Sequence, residues 1–195
     1  MTTTIGLIGL GAMGGGMAQS LRRAGFALNV YDVRAEAAQA FALDGGTACA
    51  TLAELGEKSE VVVCVVVNAA QTEAVLFGAG GTPGCAASMK PGSVFVMCST
   101  VDPNWSIALE ARLAEKGILY LDAPISGGAA KAASGEMTMM TAGVPEAYAK
   151  AGAALDAMAA KVYRLGDRAG AGSKVKIINQ LLAAFAAPPE IGASR

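Results

Sequence analysis

Histidine is absent from the 195 residues of the chain, and charged side chains are sparse. Without histidine, a His-based catalytic triad has no base and the usual histidine–zinc sites cannot form, so we expect no metal site. Charged residues make up only 16% of the chain, the net charge is −1, and lysine and arginine form no cluster. Because nucleic acids bind basic patches, we expect no nucleic-acid partner.

Long hydrophobic segments are also missing. The apolar run Val61–Val67 is too short to cross a bilayer and is typical of a buried central strand. The first residues, Met1–Thr4, lead directly into a strand without the charged-then-apolar pattern of a signal peptide. We therefore expect a cytoplasmic protein with no membrane partner.

The four cysteines lack the paired spacing of a metal or redox motif. Cys49, Cys64, Cys85 and Cys98 are scattered along the chain, and two of them lie inside apolar strand-like runs. This distribution is typical of reduced core thiols in a cytoplasmic protein.

Hydrophobic residues, in contrast, make up 53% of the chain, which provides a large core. Apolar strand-like runs alternate with helical segments, and Thr51 and Asp102–Pro103 are placed to start two of these helices. The alternation predicts an α/β fold, with a Rossmann-type, doubly wound and mostly parallel sheet. We expect strands at Met137–Thr141 and Val162–Leu165 to extend that sheet. A C-terminal helix follows.

A glycine-rich turn between the first strand and the first helix is the most informative stretch of the sequence. Gly9, Gly11 and Gly14 fit the G-x-G-x-x-G pattern at the position that dinucleotide-binding folds require. The first glycine permits the tight turn, the second permits close approach of a pyrophosphate, and the third permits close helix–strand packing. We expect cofactor binding at Gly9, Leu10, Gly11, Ala12, Met13 and Gly14.

An aspartate ends the second predicted strand. Asp32 lies about 20 residues beyond the glycines, where an acidic side chain meets the adenosine ribose. A carboxylate accepts hydrogen bonds from a ribose diol and repels a 2′-phosphate, so NAD is favoured over NADP. Asp32 could also cap the helix from Arg34 to Leu43, and Arg34 could weaken the discrimination by offering a cation to a phosphate.

Three segments together resemble the β-hydroxyacid dehydrogenase family, which includes 3-hydroxyisobutyrate, tartronate semialdehyde and L-threonate dehydrogenases. They are Gly6–Gly14, Asp122–Gly128 (Asp-Ala-Pro-Ile-Ser-Gly-Gly) and Gly170–Gln180. The first is shared by many dinucleotide folds, whereas the second and third at this separation are specific. Gln180, where the family often has a second asparagine, favours the L-threonate dehydrogenase branch.

The resemblance implies a cofactor, a substrate and a catalytic group. It assigns substrate binding to Ser126, Gly127 and Gly128, a stretch that by itself could be an ordinary Gly-Gly turn. It assigns catalysis to Lys176, as the general acid/base, and to Asn179, which would hold the substrate or orient the amine. Asn68 and Thr100, which follow two strands, are expected to line the cofactor cleft. Lys174 is expected to be solvated.

Two functions remain open at this point. The first is an NAD-dependent oxidoreductase acting on a small hydroxy acid. The second is a dinucleotide-binding module with little or no turnover, because the family continues into a helical domain that this sequence does not contain. On this interpretation residues 1–169 form the dinucleotide-binding domain, and residues 170–195 form the start of the interdomain helix and a short tail.

The C-terminal helix has an unusual apolar composition that suggests a partner. It is expected to run from about Gly172 to Ala187, where Pro188 and Pro189 stop it. Its outer positions are apolar at Ile178, Leu181, Leu182 and Phe185. We expect a homodimer through this helix, although the helix could instead fold back on its own domain or fray beyond Asn179.

Overall fold

A computed structural model describes residues 3–186 of the chain. Its main feature is a six-stranded parallel sheet in the order β3-β2-β1-β4-β5-β6. The strands are β1 (Thr4–Ile8), β2 (Ala27–Tyr31), β3 (Thr47–Ala48), β4 (Val61–Cys64), β5 (Val94–Met97) and β6 (Leu119–Asp122). The predicted Rossmann-type sheet is therefore confirmed.

Helices cover the main sheet on both faces, which leaves the strands buried in two hydrophobic cores. The helices are α1 (Ala12–Arg23), α2 (Ala35–Leu43), α3 (Leu52–Lys58), α4 (Ala69–Phe77), α5 (Pro103–Ala114), α6 (Gly128–Ser134), α7 (Pro145–Met158) and α8 (Ala171–Ala186). Strand β4 shows the two faces clearly, since Val61 and Val63 enter one core and Val62 and Cys64 enter the other. Both faces of this strand are apolar because neither meets water.

The expectation that the strands after β6 extend the main sheet was wrong. They form a separate three-stranded sheet from β7 (Ile125–Ser126), β8 (Met137–Thr141) and β9 (Ala159–Arg164), in which β7 pairs antiparallel and β9 pairs parallel to β8. A single bridge between Asp122 and Ala142 joins the two sheets. Apolar alternation identified β8 and β9 as strands but carries no information about which strand they pair with.

The predicted strand Val61–Val67 is shorter than expected. Its ladder ends at Cys64, and Val67 is exposed. Valine propensity extended the prediction, but Val65, Val66 and Val67 line a cleft at the end of this strand instead of continuing the ladder. Helix α6 was missed altogether, because a short Gly/Ala/Ser segment has no apolar periodicity.

Helix α6 is held against α1 by contacts that only small residues permit. A Cβ on Gly16 would lie 2.6 Å from the backbone nitrogen of Ala133. Ser20, one turn further along α1, donates its hydroxyl to the carbonyl of Ala132 at 2.9 Å. The segment that begins at Gly127 is therefore fixed to the helix that follows the glycine loop.

The four cysteines are buried and unpaired in the structure, as predicted. Burial raises the pKa of the Cys85 and Cys98 thiols to about 12, so both stay protonated and unreactive at neutral pH. No helix among residues 3–186 is both long and apolar enough to span a bilayer. The predicted stop of α8 at Pro188 and Pro189 lies outside the described residues.

Candidate functional site

The glycine loop joins β1 to α1, and each of its three glycines is required for a different geometric reason. Gly9 has φ +92°, and a Cβ there would lie 2.3 Å from the Val65 carbonyl oxygen. A Cβ on Gly14 would lie only 1.8 Å from the carbonyl oxygen of Gly9, so the first turn of α1 sits directly on the loop. A Cβ on Gly11 would meet nothing within 4 Å. Gly11 therefore borders open space, where a pyrophosphate could approach the backbone.

A cleft of about 530 Å³ opens beside this loop. It lies at the carboxyl ends of β1, β2 and β4, where the strand order reverses. Open α/β sheets bind their ligands at this kind of switch point. Among the residues that line it are Gly9, Gly11, Asp32, Arg34, Val66 and Thr82.

The carboxylate of Asp32 forms one wall of the cleft and is tightly held. Its Oδ2 accepts a hydrogen bond from the Leu10 N–H at 2.7 Å, and its Oδ1 accepts from the Arg34 N–H at 2.9 Å. Burial by itself raises the pKa of Asp32, but the N–H groups of Arg34 and Leu10 outweigh it and bring the pKa below the usual value. Asp32 is thus an anion, and Oδ2 retains a lone pair for a hydroxyl donor.

Asp32 is not the N-cap residue of α2, because Arg34 occupies that position. It nonetheless orders the start of that helix, since Arg34 also places its Nε 3.3 Å from Oδ1. The side chain of Arg34 is largely exposed. The cation is therefore both a partner of the carboxylate and available at the cleft rim.

The two other residues predicted for the cofactor cleft, Asn68 and Thr100, lie in the segments that follow β4 and β5, and neither is among the residues that line the cleft. Asn68 is exposed and caps α4, because its Oδ1 accepts a hydrogen bond from the Gln71 N–H at 2.9 Å. Thr100 is half-buried between β5 and α5. Its neighbour Ser99 donates to the Val66 carbonyl at 2.7 Å, which ties this segment to the cleft wall.

Lys176 is buried on α8, with only 8% of its surface exposed. Burial lowers the pKa of Lys176 below the usual lysine value. Within residues 3–186 no carboxylate lies within ion-pair distance of its amine. Lys174 is exposed, as predicted, and Asn179 is exposed one turn after Lys176. The amine of Lys176 is therefore buried, whereas Lys174 and Asn179 on the same helix face solvent.

The predicted substrate segment connects the second sheet to α6. Ser126 is half-buried at the end of β7 and pairs with Thr138 of β8. Gly127 and Gly128 have φ values of +143° and +79°, which favour glycine, and both are exposed. Gly127 is the N-cap residue of α6 and Gly128 is its first residue, so this helix starts at the protein surface.

A buried carboxylate that the sequence reasoning had not assigned lies beneath α8. Asp122, at the end of β6, has 0% of its surface exposed. It accepts hydrogen bonds from the N–H groups of Gly170 and Ser173, each at 2.9 Å, and from the Ser173 hydroxyl at 2.6 Å. Burial raises the pKa of Asp122, although these hydrogen bonds oppose the shift. Two sequence signals pointed to it: its place at a strand end, and its position as the first residue of the segment Asp122–Gly128.

Comparison with known proteins agrees with this geometry. Residues 4–166 match the family model described as the NAD binding domain of 6-phosphogluconate dehydrogenase. The chain belongs to this family. The matched residues include the glycine loop and the whole six-stranded sheet.

Relatives of this family member include named hydroxyacid dehydrogenases. The chain is 61% identical over 183 residues to an L-threonate dehydrogenase from Cupriavidus necator, and the match covers 94% of the chain and 61% of that protein. It is 34% identical over 183 residues to a mitochondrial 3-hydroxyisobutyrate dehydrogenase from Mus musculus, covering 94% of the chain and 53% of that protein. The resemblance to β-hydroxyacid dehydrogenases is thereby confirmed.

Solved structures show the same fold. A crystal structure of 3-hydroxyisobutyrate dehydrogenase from Salmonella typhimurium superposes with a TM-score of 0.87 at 42% identity, covering 93% of this chain and 62% of that one. The chain thus spans about three fifths of the length of the L-threonate dehydrogenase and of the crystallised relative.

Proposed function

We propose that the chain is an NAD-dependent dehydrogenase that oxidises a small hydroxy acid. The observation that carries this proposal is the buried amine of Lys176, on a helix whose first turn is anchored to the carboxyl end of β6. The cofactor cleft opens along the same edge of the sheet. An amine whose pKa is lowered by burial is suited to general acid/base work.

The residues present fit a dinucleotide. In this proposal, the open space at Gly11 admits the pyrophosphate, with Gly9, Leu10, Ala12, Met13 and Gly14 forming the turn around it. When bound, the nicotinamide group supplies the hydride acceptor or donor. In this proposal Asn68 and Thr100, in the segments that follow the neighbouring strands β4 and β5, contact the bound cofactor beyond the residues that line the cleft.

The chemistry assigned to the chain itself is proton transfer and substrate positioning. In the neutral form, the Lys176 amine takes the proton of the substrate hydroxyl, and the resulting ammonium returns it in the reverse direction. Asn179 orients the amine or the substrate. Ser126, Gly127 and Gly128 hold the substrate carboxylate with a hydroxyl and backbone N–H groups.

L-threonate is the first substrate to test, because the L-threonate dehydrogenase from Cupriavidus necator is 61% identical. We expect NADH to form with L-threonate and to form more slowly or not at all with 3-hydroxyisobutyrate and D-glycerate. Tartronate semialdehyde tests the reverse direction. Cofactor binding without turnover on any of the four would contradict the proposal and favour the alternative of a dinucleotide-binding module.

The proposed preference for NAD over NADP depends on Asp32. We expect Asp32→Asn to improve NADP binding relative to NAD by at least ~10-fold, because it removes a buried anion beside the ribose while retaining the side-chain shape. We expect Arg34→Ala to change the ratio in the opposite direction, since among residues 3–186 Arg34 is the only cation that lines the cleft. Calorimetric titration of both cofactors measures the ratio. Tighter NADP binding by the unmodified chain would contradict the assignment.

We also propose the domain division 1–169 and 170–195, and a location in a reducing compartment such as the cytoplasm, where the buried thiols stay reduced.

The exposed apolar side chains of α8 support the proposal that this helix face binds a partner. Leu182 and Phe185 are 64% and 86% exposed, and Ile178 and Leu181 are also exposed. We propose a second copy of this chain as the occupant of this face.

The dimer proposal predicts a change in molecular mass on substitution. We expect the unmodified chain to sediment as a dimer, and Leu182→Glu and Phe185→Glu to sediment as monomers, because a buried glutamate would disrupt an apolar interface. Gln180→Glu, exposed on the opposite side of the same helix from the apolar face, should remain dimeric. A monomer at all concentrations for the unmodified chain would contradict the proposal.

A further inference from the structure

The buried carboxylate of Asp122 provides the first turn of α8 with an anchor that comes from a distant part of the chain. Helix starts leave N–H groups without partners, and a nearby side chain usually accepts them. Here the acceptor lies 48 residues before Gly170 and 51 before Ser173 in sequence. The carboxylate therefore does more than cap the N-terminus of α8. It connects the end of β6 to the start of α8.

Steric contact at the same place leaves α8 little freedom. A Cβ on Gly172 would lie 2.4 Å from the Met140 carbonyl oxygen and 2.8 Å from that of Asp122. The helix start thus rests directly on the ends of β8 and β6. Packing sets how close the helix comes, and the hydrogen bonds to the carboxylate determine which residues of its first turn face the sheet.

Lys176 follows Ser173 by about one turn of the same helix, and both side chains are buried. A change in how the first turn is held would rotate or shift the amine with it. We propose that Asp122 is a positioning residue for Lys176, and that its carboxylate fixes the first turn of α8 so that the amine faces the reacting group. This inference rests on the proposed role of Lys176 as general acid/base.

The chemistry of the three hydrogen bonds allows charge and geometry to be separated. In Asp122→Asn, the amide oxygen can accept from both N–H groups, and the amide nitrogen can donate to the Ser173 hydroxyl, which reverses its own direction. The geometry is then retained without the charge. In Asp122→Ala, all three donors lose their acceptor. In Ser173→Ala, only the hydroxyl donor is lost.

The position of the amine can be measured without turnover. Lysines carrying ¹³C-methyl groups introduced by reductive methylation give one NMR signal per side chain, and Lys176→Arg identifies the signal of Lys176. We expect Asp122→Ala to move this signal and its titration toward those of solvent-exposed lysines. The signal of Lys174, exposed on the same helix, should not move, and the affinity for NADH should stay within twofold.

Rescue and control variants complete the test. Asp122→Asn should keep the unmodified Lys176 signal, and Thr51→Ala, which removes the cap of α3, should leave it unchanged. Where a hydroxy acid is turned over, we expect kcat to fall by ~10²-fold in Asp122→Ala and to be largely restored in Asp122→Asn. If Asp122→Ala does not fold, Ser173→Ala should produce a smaller shift in the same direction.

Three results would overturn the inference: an unchanged Lys176 signal in folded Asp122→Ala, the same shift in Asp122→Asn as in Asp122→Ala, or a matching loss of NADH affinity. The first shows that the anchor does not place the amine, the second that charge alone acts, and the third that the role is purely structural. If the unmodified chain oxidises no hydroxy acid, the proposed function fails, and the NMR comparison still decides whether Asp122 positions the amine.

Discussion

Replacing Lys176 by alanine is expected to lower the rate of hydroxy-acid oxidation by about 10²–10⁴-fold, the range that removal of a general acid/base produces. The amine is buried, so no other lysine on the helix can take its place. Lys174→Ala, two residues away on the exposed side, should keep the unmodified rate. NADH affinity should be unaffected in both variants. The rate is followed by NADH absorbance with L-threonate as substrate.

The pH dependence gives an independent check on the same amine. Oxidation requires the neutral amine, so the rate should rise with pH and level off above the pKa of Lys176. Burial lowers that pKa, and the plateau should therefore begin below the usual lysine range. Reduction requires the ammonium and should show the opposite trend. Lys176→Met, which keeps an apolar stem in the same space, should lose the pH-dependent step. Retention of that step would show that another group titrates.

Gly14→Ala is expected to produce the largest loss of stability among the glycine variants. A Cβ at this position would lie 1.8 Å from the backbone oxygen of Gly9, and backbone on both sides cannot move aside without opening the loop. We expect a cost of about 3 kcal/mol or more, at the upper end of overpacking penalties. For a domain of this size each 1 kcal/mol lowers Tm by roughly 2–4 °C, which differential scanning calorimetry resolves.

Two other glycines serve as controls for Gly14. Gly11→Ala places its Cβ in open space at φ −65°, so the fold should lose less than ~1 kcal/mol, while the methyl group obstructs the pyrophosphate and weakens NADH binding. Gly152→Ala, inside α7 with nothing within 4 Å, should gain about 0.5–1 kcal/mol and leave binding unchanged. Equal stability of Gly14→Ala and Gly11→Ala would contradict the packing argument.

The parts of the site that depend on local sequence were predictable. The tight turn at Gly9 and the close packing at Gly14 follow from a pattern of fixed spacing, and the structure shows the same contacts. Helix caps formed by a side chain two or three residues away in sequence were equally predictable. Thr51 accepts a hydrogen bond from Glu54, and Asp102 accepts from Asn104, each within three residues along the chain. Short-range hydrogen bonds of this kind leave a signature in the sequence.

Contacts between distant parts of the chain were not predictable in the same way. Asp122 and Asp102 are both aspartates near strand ends, yet Asp102 caps the helix that follows it and Asp122 anchors one 48 residues further along. The packing of Gly16 against Ala133 is likewise invisible in a sequence with 25 glycines. Which glycine or aspartate has a partner depends on how the elements assemble.

The sequence by itself determined the Rossmann-type sheet, the glycine loop, the acidic residue at the end of β2 and the C-terminal helix that carries Lys176. Each of these depends on periodicity, spacing or composition within a short segment. The tertiary structure alone decided that β8 and β9 form a separate sheet and that β4 ends at Cys64. It also decided that Lys176 is buried while Asn179 is exposed. Strand partners and the burial of a given helix face are properties of long-range packing, which short-range patterns do not encode.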